Sequence, residues 1–403
     1  MGRKYDLGGI LSDRPFKVRR LGHVGLNVDN VADSVIFYRD LLGFRVSDPM
    51  DFRDVLPPRE RSKLEGLAET TGYFTRYGTD HHALVLFPKG VTDIVMPTPP
   101  GVTVNQMTWQ VGSLREVHDA MGFLATEGVE VTRAGRDMPG SNWHLYFPDP
   151  EDHINELYYG IEQIGWVGRA KPSTLYDRRF DEAPELPQMS EHEELRRAAA
   201  RGDDLFAGHV SEEERPMRFD VDGVLLARPF KIVRLGPVGL FCRDVGEAEQ
   251  FYRGVLGLGL TETISARGDR CAYLRANTEH HSLALMPAAL REHLGLSSHT
   301  TLAWLGLQLA TYRQLRDAAS FLRAEGVHFV EVPVGLVPGV DAALWIKDPD
   351  GHAVMLYFGM EQVGWDERPR PPGRRRQLAE PWPETIEALS DTYAGEPFLG
   401  PWG

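Results

Sequence analysis

Cysteine is nearly absent from this 403-residue chain, with Cys242 and Cys271 its only two thiols. Two cysteines cannot build a disulfide framework or a Cys-based zinc site. No apolar run approaches the roughly 20 residues that a membrane-spanning helix needs, and Met1–Gly8 lacks the apolar centre of a secretory signal. Positive charge is in deficit, with 44 Lys and Arg against 58 Asp and Glu, a formal net charge of −14. Such a chain repels polyanions unless it carries a local basic stripe. Arg374-Arg375-Arg376 is the one basic run, and it is too short to form a binding face. No glycine-rich phosphate loop follows a strand-like segment, which removes a dinucleotide-binding fold. These absences predict a globular cytoplasmic protein with no nucleic-acid or membrane partner.

What is present is repetition. Arg14-Pro15-Phe16-Lys17 recurs as Arg228-Pro229-Phe230-Lys231, an offset of 214 (228 − 14), and Phe37-Tyr38-Arg39 recurs as Phe251-Tyr252-Arg253. His81-His82 recurs as His280-His281 at an offset of 199 (280 − 81), as do Asp149-Pro150 and Gly165-Trp166. The drop in offset places about 15 extra residues in the first copy, within Asp48–Thr70. Each copy is doubled again. Strand-like Leu21–Val28 precedes a helical pattern over Val31–Leu42, and strand-like Gln106–Val111 precedes a helical Leu114–Thr126 and the β-branched run Val129–Thr132. The expected architecture is α+β, with four βαβββ modules in two tandem domains. The expected bounds are residues 1–166, a charged linker 167–217, a second domain 218–366 and a Pro-rich tail 367–403. Ser190 with Glu193 predicts a capped helix in the linker. A second short helix is expected near Thr385–Leu389. Linker and tail suggest contacts in a homo-oligomer.

Three polar side chains stand out on strand-like segments: His23, Gln106 and Glu156. A lone His in an apolar strand is most often a hydrogen-bonded core residue. A carboxylate in Ile154–Tyr158 is harder to place there, because a buried unpaired charge is costly. A histidine, a carboxylate and a third N/O donor with open positions suit a divalent metal such as non-haem Fe(II). The second copy has Pro237, Trp304 and Met355 at the matching positions, so all three candidate ligands are apolar there. One metal-bearing domain and one without ligands is the expected division.

The quadruplicated module, the Asp-Pro turn before the last strand and the Glu on that strand resemble the vicinal oxygen chelate superfamily. The chain is most similar within it to the type I extradiol ring-cleaving dioxygenases, over roughly Arg14–Trp166 and Arg228–Trp365. That resemblance implies Fe(II), or Mn(II) or another divalent metal, held through His23 and Glu156. Gln106 stands where the family has its second His, a departure that glyoxalase I also makes. His144, on the strand face of Tyr146, is a possible substitute ligand. The resemblance further implies that the tandem histidines supply an acid/base, His82 in preference to His81, and that Tyr146 is the active-site tyrosine. The best-known two-domain members keep the metal in the C-terminal domain, whereas here it falls in the N-terminal one.

Three functions follow as expectations. The first is O2-dependent cleavage of a small catecholic substrate. The second is Lewis acid chemistry, isomerase, lyase or hydrolase, which tolerates an oxygen ligand such as Gln106. The third is non-catalytic binding of a small molecule.

Overall fold

The computed structural model describes residues 4–140, 142–176, 186–296, 299–333, 335–376, 378, 381–387 and 392–393. In the first copy the strands are β1 (Arg20–Val28), β2 (Arg45–Asp51), β3 (Thr71–Arg76), β4 (Leu84–Pro88), β5 (Val104–Gln110), β6 (Arg133–Gly135), β7 (Trp143–Pro148) and β8 (Ile154–Tyr159). They form one sheet in the order β2-β3-β4-β1-β5-β8-β7-β6. Two βαβββ modules therefore meet where β1 pairs antiparallel with β5. Among the described residues the second copy repeats the order over seven strands, with none in the place of β6, and its first module is joined to its second through Ile232–Cys242 and Leu302–Leu309. The expected α+β class and tandem modules hold.

Local chemistry explains the helices. Asn30 accepts from the Asp33 N–H at the start of Val31–Val35, and Ser113 accepts from Glu116 at the start of Leu114–Thr126. The first helix widens into a π-turn over Ile36–Leu41, where the Leu42 N–H reaches the Phe37 carbonyl. The β-branched run Val129–Thr132 is not itself a strand. Pairing begins at Arg133, after Thr132 bonds the Tyr146 carbonyl from outside the ladder. The extra residues of the first copy lie where expected. Short helices at Phe52–Val55 and Pro58–Arg61 replace the tight Arg267–Gly268 turn of the second copy. The linker helix Glu191–Arg201 is capped by Ser190, whose side chain accepts from the Glu193 N–H. Thr385–Glu387 is not helical, and the rest of the helix expected there lies outside the described residues.

One apolar core runs through both copies, from Phe16, Leu21 and Trp109 to Phe230, Leu235 and Leu307. The contacts between the copies obey a pseudo-twofold. Tyr38 donates to Asp348 at 3.0 Å and Tyr252 to Asp149 at 2.8 Å. His153 reaches the Thr301 hydroxyl and His352 the Thr103 hydroxyl. Arg14 caps the carbonyls of Arg253, Gly254 and Val255, and Arg228 those of Arg39 and Asp40. The Phe-Tyr pairs and the Asp-Pro turns thus do more than fill space or close a turn, because they join the domains.

The repeat also extends past each domain. Glu162 accepts from the Lys171 N–H, and Glu361 from the Arg370 N–H 199 residues on. Three-residue 3-10 turns follow at Ser173–Leu175 and Pro372–Arg374. The starts of the linker and tail are therefore wrapped onto their domains as part of the repeated unit.

Candidate functional site

β1, β5 and β8 are adjacent, and their pairing puts His23, Thr108 and Glu156 side by side, with Gln106 one step along β5 on the same face. All are buried, with Glu156 at 0% and His23 at 1% exposure. Glu156 is the centre. Its Oε2 lies 3.3 Å from His23 Nε2, 3.1 Å from the Thr108 hydroxyl and 3.5 Å from the Gln106 amide. Its Oε1 accepts from Asn142 Nδ2 at 2.8 Å and faces His144 Nδ1 at 3.8 Å. Tyr146, directly across β7 from Glu156, donates its hydroxyl to the same carboxylate. Burial alone would raise the Glu156 pKa, but His23, His144 and the Tyr146 hydroxyl outweigh it and hold the carboxyl below its usual range. Burial and that carboxylate together push the Tyr146 phenol well up.

The tandem histidines enter from the start of β4. The His82 ring packs edge-on against His23, with centroids 4.2 Å apart. His82 Nδ1 is 3.1 Å from His81 Nδ1, and His81 Nε2 is 2.8 Å from Asp48 Oδ2, which also accepts from the Tyr176 hydroxyl. The network links the tautomers. If His81 donates its Nε2–H to the Asp48 carboxylate, its Nδ1 is left to accept from His82 Nδ1–H. His82 Nε2 then carries a lone pair. Burial and the neighbouring rings of His23, His81 and His144 lower the His82 pKa well below 6.5, keeping it neutral. Gly140, at φ +96°, is required here, since a Cβ would stand 2.9 Å from the His82 ring.

The structure brings together every residue singled out in the sequence, His23, His81, His82, Gln106, His144, Tyr146 and Glu156. It separates their positions. His144 Nε2 is 3.1 Å from Asp137, which is itself paired with Arg133, so only Nδ1 is turned to Glu156. Thr108, Asn142, Asp48 and Tyr176 were not read from the sequence. Period-two spacing from Gln106 and from His144 would have found the first two. The offset of 214, which matches Asp48 to Glu262, would have found the third. In the second copy Glu262, His280 and His281 repeat the chain at 2.8 and 3.0 Å. There the concave face is filled by Tyr273, Trp304, Trp345 and Met355.

Among the described residues no group of three or more His, Cys, Asp or Glu is disposed to hold a metal ion. The candidate set instead draws its third donor from Gln106. Two ligand atoms about 2.1 Å from a divalent metal and at right angles are about 3.0 Å apart. The 3.3 Å and 3.5 Å separations around Glu156 Oε2 are near that spacing. The amide oxygen and nitrogen of Gln106 exchange by a flip, so the donor atom can face inward. The residues present fit a hard divalent cation.

Residues 20–157 and 234–356 match the model of the Glyoxalase/Bleomycin resistance protein/Dioxygenase superfamily. The chain belongs to that superfamily. Metapyrocatechase 2 of Cupriavidus necator is 29% identical over 176 residues, 42% of this chain and 46% of that relative, so the match spans less than half of its length. Among solved structures, homoprotocatechuate 2,3-dioxygenase of Brevibacterium fuscum is 17% identical with a TM-score of 0.54, over 88% of this chain and 85% of that one. The Mn(II)-bound glyoxalase of Novosphingobium aromaticivorans is 14% identical with a TM-score of 0.53, over 96% and 97%. No helix among the described residues is long and apolar enough to cross a membrane.

Proposed function

We propose that the N-terminal domain is a metal-dependent extradiol-type dioxygenase that opens a small catecholic ring with O2. The observation that supports this reading is the His82 ring packed edge-on against His23, with His81 and Asp48 behind it. His23, Glu156 and Gln106 would hold Fe(II) or another divalent metal, with His144 Nδ1 as the alternative third donor. When bound, the metal would supply positive charge that acidifies a substrate hydroxyl, and open positions for a diol and O2.

The chain's own residues do the rest. His82 Nε2 accepts the proton of a substrate hydroxyl, a task suited to a neutral imidazole near pH 7. Tyr146, beside Glu156, holds that carboxylate in register through its single O–H. Asp48 keeps His81, and through it His82, in the tautomer that leaves Nε2 bare. Asp48→Asn is expected to lower kcat by roughly 10²-fold with a much smaller change in KM, since the wrong tautomer then competes. Steady-state oxygen uptake at saturating catechol checks this.

Gln106 supports a second reading, Lewis acid chemistry without O2, because a neutral oxygen ligand suits that work. Metal analysis of anaerobically prepared protein, followed by oxygen uptake with a catechol panel, separates the two. Near one iron per chain with catechol-dependent oxygen consumption supports the dioxygenase. A bound metal with no oxygen consumption on any catechol supports the Lewis acid. Iron absent from the wild type but gained by Gln106→His overturns the dioxygenase reading.

A further inference from the structure

The start of the linker, residues 168–176, is bonded back onto its own surroundings as a strap. The Lys171 N–H donates to Glu162 at 2.7 Å, the Ala170 N–H to the His209 carbonyl, and Arg169 to the Phe206 and Gly208 carbonyls. The 3-10 turn Ser173–Leu175, with Leu175 buried, then delivers Tyr176 to Asp48. The single O–H of Tyr176 lies 3.1 Å from Asp48 Oδ2 and 3.4 Å from the Lys171 carbonyl. Asp48 is the nearer acceptor, and a carboxylate is the stronger one. The Tyr176 oxygen in turn accepts from the Gly140 N–H. Gly140 is the residue whose missing Cβ makes room for the His81 and His82 rings. One side chain of the linker thus touches both the carboxylate behind His81 and the turn packed on the histidine pair.

The second copy supplies a comparison. At an offset of 199 Arg375 stands in the place of Tyr176, and Gly339 in that of Gly140. Arg375 donates to Glu262 at 2.5 Å, and Glu262 pairs with His280 at 2.8 Å. Gly339, at φ +81°, likewise leaves no room for a Cβ beside His280. The frame is kept and the charge differs. A guanidinium offsets the charge of its carboxylate, whereas a phenol O–H bonds to it and leaves that charge in place. Burial beside Asp48 and Glu162 pushes the Tyr176 phenol up, so it stays a neutral donor. The neutral partner falls in the copy with His23, Gln106 and Glu156, and the cation in the copy with Pro237, Trp304 and Met355.

We propose that Tyr176 is a positioning residue of the N-terminal site. It holds Asp48 against His81, fixes the His81–His82 pair beside His23, and leaves the Asp48 charge available to that pair. None of the bonds described for Tyr176 goes to His23, Gln106 or Glu156, so it acts through the histidines and not through the candidate ligands. The kinetic consequence rests on the dioxygenase reading, and the geometric one does not.

The test uses the full chain with Tyr176→Phe, which removes the O–H alone, and Tyr176→Arg, which copies the second domain. Its first arm is NMR of isotope-labelled histidine, with the His81 ring signals identified by their loss in His81→Gln. Both variants are expected to shift the His81 signals and leave those of His153 and His352 at the domain interface unmoved. Its second arm is oxygen uptake with catechols. Tyr176→Phe is expected to lower kcat about 10-fold and Tyr176→Arg about 100-fold, with KM and metal content nearly unchanged. His81 signals identical in all three proteins overturn the proposal. So does unchanged kcat in both variants of an active enzyme, or a fall in turnover matched by an equal loss of bound metal. A wild type that consumes no oxygen on any catechol overturns the dioxygenase reading instead, and the His81 signals alone then decide the place of Tyr176.

Discussion

Glu156→Gln is expected to drop metal occupancy from near one per chain to below one tenth, with loss of all metal-dependent turnover. The carboxylate sits at 0% exposure and collects His23, Thr108, Asn142 and Tyr146, with His144 close by. Gln keeps the shape but removes the charge, and its amide turns a donor toward groups that already donate. Breaking a buried charged centre costs on the order of 3–5 kcal/mol, so the apo variant is also expected to unfold earlier in urea than the apo wild type. Elemental analysis alongside urea melts of both apo proteins checks this. Full occupancy in Glu156→Gln would remove Glu156 from the ligand set, and an unchanged midpoint would remove its structural role.

Asp149→Ala is expected to destabilise the whole chain by about 3–4 kcal/mol, although it lies in a turn. Asp149 accepts from the N–H groups of Glu151 and His153, from His153 Nδ1 and, across the interface, from Tyr252. Those donors are buried and would be left without their acceptor. Burial raises the Asp149 pKa, but the bonds from His153 and Tyr252 outweigh it and hold it below 3.8. A carboxyl lowered on folding contributes stability that is complete above its unfolded pKa and is lost as pH falls through the folded value. His352, raised above 6.5 against burial by Asp348 and Asp350, has the opposite sign. Its contribution is complete below 6.5 and lost as pH rises through the folded value. The interface is therefore expected to be most stable between about pH 4 and 6.5. Urea midpoints from pH 3 to 9 check this, with Asp149→Ala flattening the acid limb and leaving the alkaline one. An acid limb of wild-type steepness in the variant would place the titrating group elsewhere.

Much of this organisation is legible in the chain itself. Offsets of 214 and 199 separate two domains and locate the inserted helices. Period-two and helical spacing give the module order, and Ser190 with Glu193 marks the linker helix. The candidate ligands are visible for a related reason, since the second copy is apolar at all three positions. Tyr176 is hidden because a hydrogen bond to Asp48 across 128 residues leaves no local pattern. Tyr38 and Tyr252 read as core aromatics, because nothing in their own helices announces an aspartate on the other domain.

The sequence by itself determined the repeat, the α+β modules and which copy carries polar groups at the centre of its sheet, since these depend on local periodicity and residue type. Only the tertiary structure decided that His82 packs against His23 while His81 turns its Nε2 to Asp48. It alone decided that His144 turns one nitrogen to Asp137, and that Tyr38 and Tyr252 each meet an aspartate of the other domain. Those outcomes depend on strand register and on the docking of two sheets, which bring together groups that no spacing along the chain relates.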